Sequence, residues 1–231
     1  MTTVPKPPGK ADALPVLSVA LTEALPLYGC HLAAGPLAKM ARFLQLVQEV
    51  NHQIRLVGSA ELPDLVKRHT GESVFLGSLY SFHDQQVADL GSGAGFPGIA
   101  LQIAFPETTT TFIESDQRKA RFLQRVLDEL ELRGEVRAER AEKVRLQPAP
   151  ALVTVRALDK MPTVPGWLGS CFSSAKESWK LAAWVSRDLA AGWRKQFPEW
   201  QWSEDYLLPG AHSRVVIMGQ RPAGVPTRPA K

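Results

Sequence analysis

The chain has 231 residues, of which 45% are hydrophobic and 22% charged, and its formal net charge is +4. This composition is ordinary for a soluble globular protein, and no apolar run approaches the roughly 20 residues that a membrane-spanning helix requires. The 2 cysteines and 5 histidines fall in no metal-binding spacing, which predicts no metal site and a reduced, cytoplasmic setting. The mild excess of positive charge favours a polyanionic partner.

The N-terminal third is predicted to form a helical cap. Residues 1–13 and 220–231 are rich in proline and poor in large apolar side chains, which predicts disordered tails. Between them, 14–84 is predicted to be the cap and 85–219 the ligand-binding domain. Apolar residues recur at helical spacing from Pro36 to Val57, which predicts the main helix of the cap.

Short apolar runs then alternate with amphipathic stretches. The sequence predicts strands at 87–90, 108–115, 136–138, 151–155 and 214–219, and helices at 98–105 and 116–132. The segment 179–185 is compatible with either a strand or a helix. This alternation predicts an α/β fold with a mostly parallel sheet and helices on both of its faces.

A glycine-rich loop follows the first predicted strand, in the segment VADLGSGAGFPG that starts at Val87. Ligands of α/β sheets bind beyond the carboxyl ends of the strands, and glycine lets the backbone approach a ligand closely. Gly93, Gly95 and Gly98 have the spacing of a dinucleotide fingerprint, which leaves NAD(P) and S-adenosylmethionine open as ligands. Glu114, at the end of the second predicted strand, could accept hydrogen bonds from the ribose of either one.

Asp89 favours the second ligand. It lies two residues before the first glycine, where a carboxylate would repel the pyrophosphate of a dinucleotide. The same carboxylate would attract the sulfonium and ammonium groups of S-adenosylmethionine. The pattern Asp-x-Gly-x-Gly therefore indicates the methyl donor as the cofactor.

Four segments carry a more specific resemblance: DLGSGAGFPG, FIESDQRKARFLQ, ERAEKV and VTVRAL. In order and spacing they resemble the bacterial 16S ribosomal RNA guanine-N7 methyltransferase family, also called glucose-inhibited division protein B, over about residues 87–161. The resemblance implies a Rossmann-like class I methyltransferase with a seven-stranded sheet. It implies an S-adenosylmethionine-dependent enzyme, expected to be a monomer, that methylates a guanine N7 in 16S ribosomal RNA of the small ribosomal subunit.

The motifs and the resemblance together assign the site. The predicted donor-binding residues are Asp89, Gly91, Gly93, Phe96, Glu114, Ala141, Glu142 and Arg156. Arg156 is also the predicted catalytic residue, because a planar guanidinium suits both the O6 edge of guanine and a phosphate. Positive charge predicts the RNA-binding residues Lys67, Arg68, His69, Arg118, Arg121 and Arg125.

The sequence departs from the family at three places. The segment SSAKESWKLAAWVSRDL lacks the Gly-Gly and Lys-Gly pairs that flank the fifth strand of the family. The Asn-Leu pair appears as Arg55-Leu56, and His-x-x-Asp-Ser appears as His69-Thr-Gly-Glu72-Ser73. These departures keep open a catalytically silent RNA- or ribosome-binding homologue, and an NAD(P)-dependent oxidoreductase is the other alternative.

Overall fold

The computed structural model describes residues 13–157, 161–172 and 179–221. The predicted tails fall almost entirely outside these ranges. The predicted tails include one residue of a regular element at each end, because Ala13 begins the first helix and Gln220 ends the last strand. Among the described helices, none is long and apolar enough to span a membrane.

The segment that precedes the first strand is mostly helical. Helix α1 (Ala13–Ala24), which the sequence analysis did not identify, packs on α2 (Ala34–Ile54). A π-helical stretch, Asp64–Gly71, continues directly into the one-turn α3 (Glu72–Val74). The helix predicted from Pro36 onward is confirmed as α2, although it ends at Ile54. The apolar side chains of α2 that recur at helical spacing are buried: Met40, Phe43, Leu44 and Val47.

The strands form one sheet, and their bounds are β1 (Gln86–Leu90), β2 (Thr109–Ile113), β3 (Gly134–Arg137), β4 (Leu152–Arg156), β5 (Lys180–Ser186), β6 (Gln201–Trp202), β7 (Tyr206–Leu207) and β8 (Arg214–Gln220). The order is β3-β2-β1-β4-β5-β8-β6, and β7 also pairs with β8. Strands β1 to β5 are parallel, whereas β8 runs antiparallel to β5. The predicted α/β class and mostly parallel sheet are confirmed. Within the described residues the sheet has 8 strands rather than seven, since the two-residue strands β6 and β7 pair separately with β8.

Helices cover both faces of the sheet. On one face, α4 (Gly98–Ala104) and α5 (Gln117–Leu130) share an apolar core with α2. On the other face, α6 (Val164–Leu168) and α7 (Arg187–Gln196) pack on β4, β5 and β8. The chain therefore reverses its winding between β1 and β4, which is where sheets of this kind open a crevice for a ligand.

The ambiguous segment at 179–185 is a strand. Its five central residues are buried, because the sheet is covered on both faces at β5. A strand covered on both faces needs no polar alternation, so its sequence resembles that of a buried helix. Ser186 then caps α7 by accepting a hydrogen bond from the Leu189 N–H.

The residue that follows α2, Arg55, has a strained backbone conformation. Arg55 has φ of 44°, in the left-handed region, and its side chain is exposed. The Asn51 side chain accepts a hydrogen bond from the Val57 N–H at 2.8 Å, which fixes the turn that follows. Arg55 stands where the family that the sequence resembles has asparagine, a residue that adopts this conformation more readily.

We expect Arg55→Asn to stabilise the protein. The left-handed conformation disfavours residues with a Cβ by about 1–2 kcal/mol, and asparagine relieves part of that strain. The free energy of unfolding should rise by about 0.5–1 kcal/mol and the melting temperature by roughly 1–4 °C, measured by thermal denaturation. The matched control is Gln53→Asn, inside α2, which should lower the melting temperature slightly because asparagine is the weaker helix former. A lower melting temperature for Arg55→Asn would contradict the interpretation.

Candidate active site

A cavity of about 440 Å³ opens at the carboxyl ends of the parallel strands. The sheet side of its wall consists of Gly91–Ala94, Phe96, Ile113–Ser115, Lys119, Glu139–Glu142, Arg156, Ala157 and Trp167. The cap contributes Leu56–Gly58 and His69. The cavity thus brings together seven of the eight predicted donor-binding residues: Gly91, Gly93, Phe96, Glu114, Ala141, Glu142 and Arg156.

The glycine loop at the cavity is held by hydrogen bonds within the protein. Gly91 and Gly93 have φ of 70° and 56°, a conformation that favours glycine. The N–H groups of Gly91 and Ser92 donate to the Ile113 carbonyl at 2.8 and 3.0 Å. The Gly93 N–H donates to Oε2 of Glu114 at 2.9 Å. These main-chain donors are therefore already paired with protein acceptors.

Glu114 fixes the end of β2 against that loop. Its Oε2 accepts from Gly93, and its Oε1 accepts from the Asp116 N–H at 2.7 Å. Only 8% of the residue is exposed. Each carboxylate oxygen can accept more than one hydrogen bond, so Glu114 can still receive hydroxyl donors from the cavity.

Asp89 does not lie where the sequence predicted. It is 1% exposed and is absent from the cavity wall. Its Oδ1 accepts a hydrogen bond from the Thr154 hydroxyl at 2.6 Å, and its Oδ2 faces Gly98, where a Cβ would approach to 2.7 Å. Successive side chains of a strand point to opposite faces, which directs Asp89 beneath the start of α4. Burial raises the pKa of this carboxyl to about 6.

Arg156, at the end of β4, is held by groups of the cap. Its side chain is 13% exposed and donates to Oε2 of Glu72 and to the Arg68 carbonyl, both at 2.9 Å. Burial lowers the pKa of the guanidinium, whereas the neighbouring Glu72 raises it. Arg156 therefore has a defined orientation at the cavity without any ligand.

Glu72 is the centre of this network, and the sequence analysis identified it only as a departure from a family motif. Its side chain is 3% exposed and pairs with Arg156 and with Arg214 of β8. The indole N–H of Trp184 donates to the Glu72 carbonyl at 2.7 Å. No local pattern marks Arg214 or Trp184, because both are brought to Glu72 by strands that are distant in sequence.

His69 and Phe96 form an aromatic part of the wall. Their ring centroids are 5.1 Å apart, and Phe96 also contacts Phe43 at 5.0 Å. Burial and the positive charges of Arg156 and Arg68 lower the pKa of His69 to about 4. His69 is therefore neutral at neutral pH, so it adds no positive charge to this surface, and its role in RNA binding stays a prediction.

The other predicted RNA-binding residues lie on two separate surfaces. Lys67 and Arg68 are exposed on the stretch that contains His69, beside the cavity. Arg118, Arg121 and Arg125 lie on α5, where acidic side chains balance part of the charge. Arg118 pairs with Asp116 at 3.3 Å, and Arg125 lies 3.5 Å from Glu129 and 3.9 Å from Glu49.

Several cavity residues were missed by the sequence analysis: Ser92, Ser115, Glu139, Arg140 and Trp167. The first four lie within two positions of residues that were predicted, so the strand ends were the available signal. Trp167 follows β4 by eleven positions and carries no such signal. Among the described residues, no group of three or more His, Cys, Asp or Glu side chains could hold a metal ion.

The chain is similar to known proteins of one description. Residues 36–180 match the GidB family, described as rRNA small subunit methyltransferase G. A "Ribosomal RNA small subunit methyltransferase G" from Acidiphilium cryptum (strain JF-5) is 42% identical over 127 residues, which is 54% of this chain and 58% of that protein. One from Mycoplasma mycoides subsp. mycoides SC is 36% identical over 107 residues, 46% of this chain and 78% of that protein. The chain thus spans less than two thirds of the first of these relatives.

Solved structures share the fold at low sequence identity. A branched-chain polyamine synthase from Thermus thermophilus has a TM-score of 0.59 at 14% identity, covering 84% of this chain and 67% of that one. A SAM-dependent O-methyltransferase from Thermotoga maritima has a TM-score of 0.53 at 13% identity, covering 67% and 66%. The Rossmann-like class I methyltransferase fold predicted from the sequence is confirmed.

Removal of the charge of Glu72 should destabilise the protein far more than removal of a surface charge. Glu72→Gln leaves the buried Arg156 without a counter-charge, which typically lowers the free energy of unfolding by about 3–5 kcal/mol. Glu49→Gln is the matched control, because Glu49 also approaches two arginines but at the surface, where the loss should be below about 1 kcal/mol. Urea denaturation measures both. Equal losses would refute the assignment of Glu72 as the link between cap and sheet.

Proposed function

We propose that this chain, which belongs to the GidB family, transfers a methyl group from S-adenosylmethionine to N7 of a guanine in 16S ribosomal RNA. The proposal includes the division into a helical cap, 14–84, and a donor-binding domain, 85–219. It also includes a monomeric enzyme, which the resemblance to the family implies. We also propose that the reaction is cytoplasmic, because the proposed substrate is ribosomal RNA.

The hydrogen bonding of the glycine loop is the observation that favours S-adenosylmethionine over a dinucleotide as the cofactor. A dinucleotide binds its pyrophosphate on free N–H groups at such a loop. Here the N–H groups of two fingerprint glycines are paired within the protein: that of Gly93 donates to the Glu114 carboxylate and that of Gly95 to the Ser92 carbonyl. This arrangement supports a ligand that brings its own donors and no phosphate. S-Adenosylmethionine contains no phosphate, and its ribose hydroxyls and ammonium group are hydrogen-bond donors.

The residues of the cavity fit this donor. Glu114 would accept hydrogen bonds from the ribose, and the Ala141–Glu142 turn would lie along the adenine. The acidic Glu142 and Glu139 suit the positive charge of the ligand. When bound, S-adenosylmethionine supplies an electrophilic methyl group on a positively charged sulfur.

The proposed reaction needs no proton transfer by the protein. Guanine N7 has an in-plane lone pair and no proton, so alignment of the base and exclusion of water are sufficient for catalysis. Arg156 lies at the cavity with a fixed guanidinium that can bind guanine O6 or a phosphate. The neutral, partly buried His69 and the ring of Phe96 offer a surface against which a base can stack.

We also propose that the RNA crosses the cavity mouth over Lys67 and Arg68. Both are exposed on the stretch that also carries His69 into the cavity wall. The arginines of α5 lie among acidic residues, which reduces their attraction for phosphates. Base selection is assigned to the cavity, since contacts with phosphates carry no sequence information.

Donor binding and methyl transfer are tested with purified protein. Calorimetry should detect binding of S-adenosylhomocysteine, the demethylated product, and should detect no binding of NAD(H) or NADP(H). Ribosomal RNA from a strain that lacks the protein should gain label from the donor at one guanine of the small-subunit RNA, mapped by reduction and aniline cleavage. Arg156→Ala should lower the transfer rate by more than it weakens donor binding, if the arginine acts in the transition state.

Each failure of this experiment points to a different alternative. Binding of NADH without binding of the donor product indicates an oxidoreductase. Donor binding with no transfer, to free RNA or to small subunits, indicates a silent RNA-binding homologue. Transfer to an amine or a hydroxyl refutes the assignment of N7.

The RNA surface is tested by charge reversal at matched pairs. Lys67→Glu/Arg68→Glu should weaken RNA binding by at least about tenfold and reduce the slope of log affinity against log salt by about 1.5–2. Arg121→Glu/Arg125→Glu changes the net charge by the same amount on α5 and should have a smaller effect. Filter binding between low and moderate salt measures both, and calorimetry checks that donor affinity is retained. A larger effect of the α5 pair would relocate the RNA surface to that helix.

A further inference from the structure

Arg214 is a second arginine near the cavity, and the sequence analysis did not identify it. It begins β8, which runs antiparallel to β5. The first residue of β8 therefore lies at the edge of the sheet where the parallel strands end, beside Ser186, the last residue of β5. The cavity opens at this same edge, although Arg214 is not part of its wall.

The register of the sheet places Arg214 on the same face as Arg156. Arg156 pairs with Trp184, which in turn pairs with Val216, two positions after Arg214. Paired residues share a face of a sheet, and so do side chains two positions apart on one strand. The two arginines and the tryptophan thus point to the cap, where each donates a hydrogen bond to Glu72.

The two arginines share a single carboxylate. Oε2 of Glu72 accepts from Arg156 at 2.9 Å, and Oε1 accepts from Nε and Nη2 of Arg214. Guanidinium groups stay protonated in proteins, so one positive charge of this group of three is not compensated within it. The side chain of Arg156 is 13% exposed, whereas that of Arg214 is 43% exposed. The uncompensated charge is therefore accessible to solvent at Arg214.

Arg214 also has hydrogen-bond donors that an anion can use. Its Nε and Nη2 contact Glu72, whereas its Nη1 has no hydrogen-bond partner within the described part of the chain. A guanidinium carries five N–H donors in a planar arrangement that suits a phosphate. Because the contact with the buried carboxylate already orients this guanidinium, an anion that binds it immobilises little additional side chain.

The segments around Arg214 retain an excess of positive charge. They are residues 64–72 of the cap, the end of β4, the junction between β5 and α7, and the start of β8. Their basic residues are Lys67, Arg68, Arg156, Arg187 and Arg214, and their acidic residues are Asp64, Glu72 and Asp188. Of the basic ones, Lys67, Arg68 and Arg187 are exposed. This edge of the sheet therefore attracts a polyanion.

We propose that Arg214 binds a phosphate of the RNA substrate, next to the nucleotide whose base enters the cavity. This inference rests on the proposed function, and it extends the RNA path from Lys67 and Arg68 to the start of β8. Arg156 lines the cavity and Arg214 lies outside its wall, so base and phosphate are bound by separate arginines that Glu72 holds together. The phosphate contact adds affinity and fixes the position of the strand, but it does not select the base.

The experiment removes the charge of Arg214. Arg214→Gln retains an amide N–H that can donate to Glu72. It should weaken binding of small-subunit ribosomal RNA about three- to tenfold at low salt, and reduce the slope of log affinity against log salt by about 0.7–0.9, the value for one phosphate. The KM for RNA should rise by a larger factor than kcat falls. Arg214→Lys keeps the charge and should retain the slope.

Arg194→Gln is the matched control. The side chain of Arg194 is also about one third exposed and pairs with one carboxylate, that of Asp205 at 2.8 Å. It donates to the Ser203 carbonyl, and the Ser203 N–H donates to Met218 near the end of β8, so Arg194 lies at the opposite edge of the sheet. The variant loses the same charge and should retain both the salt slope and the KM for RNA.

A measurement on the wild-type protein requires no variant to fold. Phenylglyoxal modifies accessible guanidinium groups, and peptide mass spectrometry quantifies the modification at each arginine. Arg214 and Arg194 should both react in the free protein. Small-subunit RNA should protect Arg214 and not Arg194, and S-adenosylhomocysteine alone should protect neither.

The outcomes separate this inference from the proposed function. An unchanged salt slope in Arg214→Gln, or equal protection of the two arginines by RNA, overturns the role of Arg214 while methyl transfer by the wild type stands. Weaker binding of S-adenosylhomocysteine by Arg214→Gln with an unchanged slope shows that Arg214 only positions Glu72 and Arg156. Failure of the wild type to bind the donor product or to methylate RNA overturns the proposed function itself.

Discussion

The buried carboxylate of Glu72 is the constraint on which the geometry of the cavity depends. It joins a helix of the cap to Arg156 at the end of β4 and to Arg214 at the start of β8. Transfer of these charges out of water is unfavourable, and it is offset only when the carboxylate and the guanidinium groups stay together. The cap consequently has one favoured position on the sheet, and the cavity wall that includes His69 follows from that position.

The surroundings of Arg156 and His69 differ, although the two residues lie close together. Arg156 keeps a counter-charge at 2.9 Å, whereas His69 meets two guanidinium groups and a dry environment. A cation and a neutral aromatic ring therefore lie side by side at the mouth of the cavity. This combination suits a nucleobase attached to a phosphate, because one group attracts charge and the other offers a flat apolar face.

Much of the fold follows from local patterns in the sequence. The amphipathic spacing of α5 and the β-branched run of β2 identify those elements, and the glycine loop identifies the edge of the sheet that binds a ligand. The strands β6 and β7 were missed because a two-residue segment is too short to show an alternating pattern. Their pairing with β8 depends on tertiary contacts. The ambiguity at β5 arose because burial on both faces removes the alternation that distinguishes a strand.

The chemistry of the site was less predictable than its location. The partner of Arg156 is 84 residues away in sequence, so no spacing could identify it. The direction of the Asp89 side chain depends on the face of β1 to which it belongs, and the charge of His69 depends on burial. The surroundings of Arg156 and His69 arise from packing between the cap and the sheet, and those of Asp89 from packing within the sheet and against α4.

The paired N–H groups of the glycine loop give this site a polarity opposite to that of a phosphate-binding loop. Both kinds of loop use glycine to bring the backbone close to a ligand. Here, however, the group beside the loop is a hydrogen-bond acceptor, the Glu114 carboxylate. Glycine spacing therefore specifies how near a ligand can come, whereas the acid at the next strand end specifies that the ligand must present hydrogen-bond donors there. Because the loop is already folded on its own acceptors, a ligand meets a rigid surface and loses little backbone entropy of the protein on binding.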